Sequence, residues 1–233
     1  QQVNSPDKNI ITVEDPIEYL IPGISQIQVR PKIGLTFAAG LRSILRQDPD
    51  IILVGEIRDM ETAEMAVQAS LTGHLVFATL HTNDSSGAIT RLINMGIEPF
   101  LVTSSTIAIQ AQRLVRRVCP SCKENFMPDL DSLHELGISP DDPRCKELKR
   151  GVGCDKCSNR GYLGRSGIFE LLAMSNRIQE MVLQGADSNA VKREARLEGM
   201  RTLREDGAQK VLRGETTVEE ILRVTRDETL ESA

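Results

Sequence analysis

DPDIILVGEIRD, Asp48 to Asp59, followed by LTGHLVFATLHTND, Leu71 to Asp84, decides the fold. Ile51, Ile52, Leu53 and Val54 are apolar, and three of the four are β-branched. Such a run suits a parallel strand covered on both faces. It ends in Gly55-Glu56, with Arg58 and Asp59 just beyond. The second run, Leu75 to Leu80, reads as a similarly buried strand and ends in His81, Thr82, Asn83 and Asp84. In open α/β sheets ligands sit outside the carboxyl ends of the strands. A carboxylate, an arginine and a histidine on adjacent strand ends suit a phosphate ester and its metal ion.

Working outward, Asn9 to Val13 reads as a strand that ends in Glu14-Asp15-Pro16. Pro16 disfavours helical geometry at Asp15, so the acidic pair sits where the strand turns out. Gln26 to Val29 reads as a short strand, and Thr36 as the N-cap of a helix through about Gln47. A helix from about Met60 to Leu71 is stopped by Gly73, and another runs from about Ser85 to Met95 and ends at Gly96. This alternation predicts a parallel sheet with helices on both faces. Pro99 to Gln112 reads as one more helix, and Leu114 to Val118 as an extended piece leading into Cys119. Four short helices are expected after Gly167: Arg177 to Leu183, Ser188 to Leu197, Arg204 to Leu212 and Thr217 to Val224, forming a small bundle. The polar end, Arg226 to Ala233, reads as frayed. The expected organisation is 1–118 as the α/β core, 119–157 as a cysteine-bearing subdomain and 158–233 as a C-terminal segment with its helical subdomain.

Composition narrows the classes. Of 233 residues 40% are hydrophobic but only 3% aromatic, so the core must be aliphatic. A net charge of −5 argues against a nucleic-acid footprint. No apolar run of 18 residues occurs, so no membrane span is expected.

Four of the five cysteines fall as Cys119-Pro-Ser-Cys122 and Cys154-Asp-Lys-Cys157. Two such pairs can close a tetrahedral four-sulfur shell around Zn²⁺, and a four-sulfur shell leaves no open position for catalysis. The 119–157 stretch carries Pro120, Pro128, Pro140 and Pro143 among many charges, which predicts a loop-rich insert held by the ion rather than by a large core. Gly151 and Gly153 supply the tight backbone a knuckle needs. Cys145 reads as an ordinary free thiol.

Glu14 and Glu56 suggest carboxylates converging on a metal-bound triphosphate, since Mg²⁺ takes one or two carboxylates plus phosphate oxygens. Arg42 and Arg46, four apart without an acidic residue at helical spacing, are either a solvated stripe or phosphate contacts; Arg58 is better placed for the same role. His81 could hydrogen-bond a γ-phosphate. A nucleotide hydrolase of this kind needs GxxxxGK[ST], and no such string occurs in these residues. Either the protein does not bind a triphosphate or the sequence begins just after its phosphate loop.

ITVEDPIEY, GLTFAAGLRSILRQDPDIILVGEIRD, LTGHLVFATLHTND and AQRLVRRVCPSC resemble the aspartate box, Walker B and histidine box of the secretion ATPases of the type II secretion / type IV pilus superfamily. GVGCDKCSNRGYLGRSGIFELL resembles its tetracysteine element. The resemblance runs from about Asn9 to about Thr225, and implies a RecA-like P-loop NTPase core in a homo-hexamer that uses ATP, Mg²⁺ and Zn²⁺. By the same resemblance Glu14 polarises the attacking water, Glu56 acts through Mg²⁺ and His81 senses the γ-phosphate. Asp15, Arg42, Arg46 and Arg58 serve nucleotide or subunit contacts, and Cys119, Cys122, Cys154 and Cys157 hold zinc. The family's Walker A is expected upstream of Gln1, so these residues alone are expected to be inactive. The implied setting is the cytoplasmic side of the inner membrane, peripheral, against platform proteins of the secretion machine. The type II branch is favoured over pilus assembly. A non-catalytic, zinc-stapled interaction module is the competing class.

Overall fold

The computed structural model describes residues 3–226; 1–2 and 227–233, including most of the stretch read as a frayed end, lie outside the described residues. The chain forms two compact units, each assembled from separate stretches. The first comprises residues 1–82, 87–107 and 174–188, the second 83–86, 108–173 and 189–233.

The first unit is built on four parallel strands, β1 (Ile10–Glu14), β2 (Ser25–Gln28), β3 (Ile51–Val54) and β4 (Leu75–Ala78), in the order β2-β1-β3-β4. Helices α1 (Phe37–Ile44) and α2 (Met60–Leu71) follow, with Thr36 accepting from the Ala39 N–H and Asp59 from the Thr62 N–H. Each cap supplies a side-chain oxygen to an otherwise orphaned helix N–H. Ile11, Val13, Ile52 and Val54 lie on one sheet face and are buried beneath α1 with Leu41 and Ile44. α3 (Ser85–Asn94) and α4 (Pro99–Ser105) follow β4.

Four sequence expectations are corrected here. The Leu75 strand is not covered on both faces. It is the sheet's edge, where Leu75, Phe77 and Phe77's register partner Leu53 are exposed among the described residues. Hydropathy reports what a strand can bury, not which neighbours cover it. α1 stops at Ile44 instead of Gln47, the chain turning through Asp48 at φ 49° before Pro49. The helix expected to Gln112 ends at Ser105; Ala108–Val118 is a long strand, β5, paired antiparallel with β8 (Tyr162–Ala173). β5 buries Val115 while the alternate residues Gln110, Gln112 and Leu114 stay outside, a period of two that the window around it had masked.

The fourth correction concerns the insert and the last helices. A small hairpin, β6 (Lys123–Asn125) with β7 (Lys149–Gly151), and α5 (Leu130–Glu135) belong to the second unit. Leu133, Leu136, Ile138, Cys145 and Leu148 join Val115 and Ile168 of the ribbon in one buried cluster with Leu203, Val211 and Ile221. The insert therefore has a core, and cysteines are only part of what holds it. Helices α6 (Asn176–Leu183), α7 (Ser188–Leu197), α8 (Leu203–Leu212) and α9 (Val218–Val224) do not make a bundle of their own. α6 packs on α4 in the first unit; α8 packs on β8, and α9 on β5 and α8. Among the described residues no helix is long and apolar enough to cross a membrane.

Candidate active site and metal centre

Three neighbouring strands end at one edge of the sheet. β1 delivers Glu14 and Asp15, β3 delivers Gly55-Glu56, and β4 leads through Thr79 to His81. Gly55 makes the crowding possible: a Cβ there would meet the Val13 carbonyl at 3.1 Å and the Glu14 Cα at 3.3 Å. Its N–H donates to that carbonyl at 2.8 Å, and the Ile57 N–H donates to Thr79 O at 2.9 Å, so the exits of all three strands stay laced together beyond the regular ladder.

Glu56 is the centre of this edge. Arg58 Nη2 lies 2.5 Å from its Oε1 and His81 Nε2 3.1 Å from its Oε2. The Arg58 hydrogen bond is the main cause that holds the Glu56 carboxyl below the usual range; burial opposes it and His81 adds to it. Glu56 in turn raises the Arg58 guanidinium, with a smaller contribution from the charge on Asp15. His81 is 85% exposed at its side chain, so it is held at one end and open to a ligand at the other. The arrangement keeps one anionic carboxylate between two groups able to bind phosphate oxygens.

Glu14 is held separately. Thr12 Oγ1 donates to its Oε1 at 2.5 Å and Gln26 Nε2 donates to the same oxygen at 2.9 Å. Thr12 is two residues earlier on the same face of β1, a relation visible in the sequence. Gln26 lies across the β1–β2 register and required the fold. Neither was singled out from the sequence.

The arginines are less uniform. Arg42 pairs with Glu61 of α2, a partner that spacing within its own helix could not reveal. Arg46 lies in the turn after α1, off the helical stripe it was expected to share, and its exposed guanidinium has no partner among the described residues. Asp59, which follows Arg58, is spent on capping α2.

Beyond His81 the segment Asn83–Ser86 belongs to the second unit. Asp84 is buried and pairs with Lys192 at 3.0 Å, and Arg113 Nη2 donates to Asn83 Oδ1 at 3.2 Å. Glu170, fully buried on β8, accepts from both the backbone N–H and the hydroxyl of Ser85 and from the Leu203 N–H. One carboxylate thus caps the starts of α3 and α8, where free N–H groups and the helix dipole favour negative charge.

The four cysteines come together in the second unit. The sulfurs of Cys119, Cys122, Cys154 and Cys157 all lie within 4.8 Å of one another. Three pairs are at 3.8–3.9 Å. A tetrahedron with Zn–S bonds of about 2.3 Å has sulfur–sulfur edges of about 3.8 Å, so the donor set fits a closed tetrathiolate. Burial tends to raise the Cys157 thiol, but N–H donors from Cys154 and Gly161, together with the neighbouring thiols of Cys154 and Cys122, outweigh it and bring it to about 6. Gly151 is required where the two knuckles meet, since a Cβ there would sit 2.0 Å from the Gly161 carbonyl oxygen. Cys145 lies apart in the apolar cluster, its thiol 3.5 Å from Ser139 O.

Known proteins are similar to this chain in sequence and in fold. Type II secretion system protein E of Pseudomonas aeruginosa is 54% identical over 226 residues, covering 97% of this chain and 44% of that protein. Type IV pilus assembly ATPase PilB of Thermus thermophilus is 53% identical, covering 95% of this chain and 25% of that protein. The chain therefore spans less than half the length of these relatives. The crystal structure of the pilus retraction motor PilT with bound ADP superimposes at a TM-score of 0.66, with 27% identity over 97% of this chain and 55% of that one. The family described as Type II/IV secretion system protein matches residues 1–223, and the chain belongs to that family.

Proposed function

We propose that this chain carries the hydrolytic edge of an ATPase that powers pseudopilus assembly for type II secretion. The observation that supports this best is the convergence of Glu14, Glu56 and His81 on the exits of three adjacent parallel strands. A pure scaffold has no physical need for it. In this reading Glu14 takes a proton from the attacking water, and Glu56 orients the water shell of Mg²⁺, which would supply charge neutralisation at the phosphates. His81 and Arg58 contact phosphate oxygens, with Asp15 tuning Arg58. Arg46, and Arg42 if it releases Glu61, reach the nucleotide or a neighbouring subunit of a homo-hexamer. Cys119, Cys122, Cys154 and Cys157 hold one structural Zn²⁺. The working partners are inner-membrane platform proteins, with the motor peripheral on the cytoplasmic side.

Pilus assembly is the second reading, favoured by the near-equal identity to the PilB of Thermus thermophilus. Loss of secretion, with pili retained, in cells carrying a Glu56 variant would separate the two.

The test of hydrolysis uses protein carrying this chain together with a GxxxxGK[ST] segment. Glu56→Gln is expected to lower turnover by about 10²–10⁴-fold while ATP binding stays within a few-fold. Persisting turnover would remove Glu56 from the mechanism. The 233 residues alone, lacking that string, are expected to bind ATP no better than the millimolar range by calorimetry; micromolar binding would overturn that expectation.

A further inference from the structure

Glu14 has two carboxylate oxygens, and the fold treats them differently. Both of its donors, Thr12 Oγ1 at 2.5 Å and Gln26 Nε2 at 2.9 Å, go to Oε1. Oε2 has no hydrogen-bond partner among the described residues. Thr12 is 5% exposed and cannot turn to water without leaving its place between β2 and β3. Gln26 is itself fixed at both ends of its amide. Its Oε1 accepts from the Ile21 N–H at 2.8 Å, and its Nε2 also donates to Tyr19 O at 3.0 Å. The Ile21 N–H settles which end of the amide is oxygen, and so obliges the NH₂ to face Glu14.

From this we propose that Gln26, with Thr12, is a positioning pair for the carboxylate of Glu14. It pins Oε1, sets the plane of the carboxylate and leaves Oε2 as the oxygen that accepts the proton. Gln26 does not touch substrate; it acts through Glu14. The proposal rests on Glu14 being the base in the reading above. A carboxylate free to rotate about χ3 would present either oxygen over a wide arc, and small misplacements of a catalytic group are costly. The same amide ties the strand exit to the loop through Tyr19 and Ile21. The effect of losing the loop anchor must therefore be separated from the effect of losing the donor.

The experiment measures kcat, KM and the affinity for a non-hydrolysable ATP analogue in protein carrying this chain with a phosphate-binding segment. Gln26→Leu is expected to lower kcat about ten- to a hundred-fold with analogue affinity within two-fold. Gln26→Glu, which keeps the Ile21 acceptor but replaces the donor by a like charge, is expected to lose at least as much. Thr12→Val, the same shape without the hydroxyl, is expected to lose kcat, and Thr12→Ser to restore it; this pair tests the idea even if the Gln26 variants fold poorly. In a Glu14→Gln background Gln26→Leu should cost nothing further. Retained kcat in both Gln26→Leu and Thr12→Val, with Glu14→Gln inactive, overturns the positioning role alone. An active Glu14→Gln overturns the proposed base and this inference with it.

Discussion

Glu56 and Glu220 are each flanked by two nitrogen-bearing side chains, yet the two sites are built differently. Glu56 sits at the rim of the parallel sheet, its partners Arg58 and His81 exposed at 61% and 85%. Glu220 on α9 is fully enclosed. Arg116 Nε and Nη2 donate to its Oε2, Arg223 reaches both oxygens, and the Arg116 N–H donates to Oε1. Arg116 also lies over the Tyr162 ring, 4.2 Å from its centre. Burial alone would raise the Glu220 carboxyl, but the Arg223 and Arg116 hydrogen bonds outweigh it and bring it to about 2. Every lone pair of Glu220 is committed, so it can only hold α9 to β5. The partners of Glu56 can swing to another anion without unfolding anything. The same chemistry makes a staple where five hydrogen bonds close on one carboxylate, and leaves room for a ligand where only two exposed partners meet it.

That contrast can be broken most directly by one substitution made at both places. Glu56→Gln should remove about 10²–10⁴-fold of turnover and leave the melting temperature within a degree or two. Glu220→Gln should leave kcat within about two-fold. The comparison fails if Glu220→Gln abolishes turnover, in protein carrying this chain with a phosphate-binding segment, at a temperature where it is folded.

Metal removal comes next. A tetrathiolate contributes its binding energy to folding. One zinc equivalent is expected in protein purified under reducing conditions; less than half would count against the site. Because Leu133, Leu136 and Leu148 lie in a shared apolar cluster, chelation should strip hydrogen-exchange protection from residues 119–122 and 151–161 first. Protection lost at the same rate across 123–148 would mean that the cluster does not stand without the metal.

Glu220→Gln should destabilise by about 1–3 kcal/mol, below the usual cost of breaking a buried pair because both arginines are about half exposed. Urea unfolding followed at Tyr162 would measure it. A value near zero would make the staple ornamental.

The smallest effect is the acid dependence of the same group. Its carboxyl is lowered from 4.5 to about 2 on folding. The stabilisation is therefore fully present above about pH 4.5 and is lost as pH falls towards 2. The wild-type chain should lose more stability across that window than Glu220→Gln, and parallel curves would remove Glu220 as the cause.

Much of this was legible early because it is local. β-branched runs, the cap at Thr36 and paired cysteines each need only a few neighbouring residues to be read. The first part of the strand Ala108–Val118, before the stretch from Leu114 that reads as extended, was not legible, because its apolar positions fit a helix as well as a ribbon until β8 lies beside it. The insert looked coreless because Leu133, Leu136 and Leu148 find their partners in Val115, Leu203 and Ile221, far away in the chain. At the candidate site, Glu14, Glu56 and His81 announce themselves by lying at strand ends. What orients them does not: Gln26 meets Glu14 only through a strand register, and Arg42 meets Glu61 only across two helices.

The sequence by itself determined the side-chain types placed after the parallel strands and the pairing of the cysteines, since those follow from side-chain type and local spacing. Tertiary structure alone decided how many groups close on Glu56 and on Glu220, and which oxygen of Glu14 is left unpaired among the described residues. Burial and hydrogen-bond partners are properties of neighbours in space, and sequence spacing carries them only within a turn of helix or along a single strand.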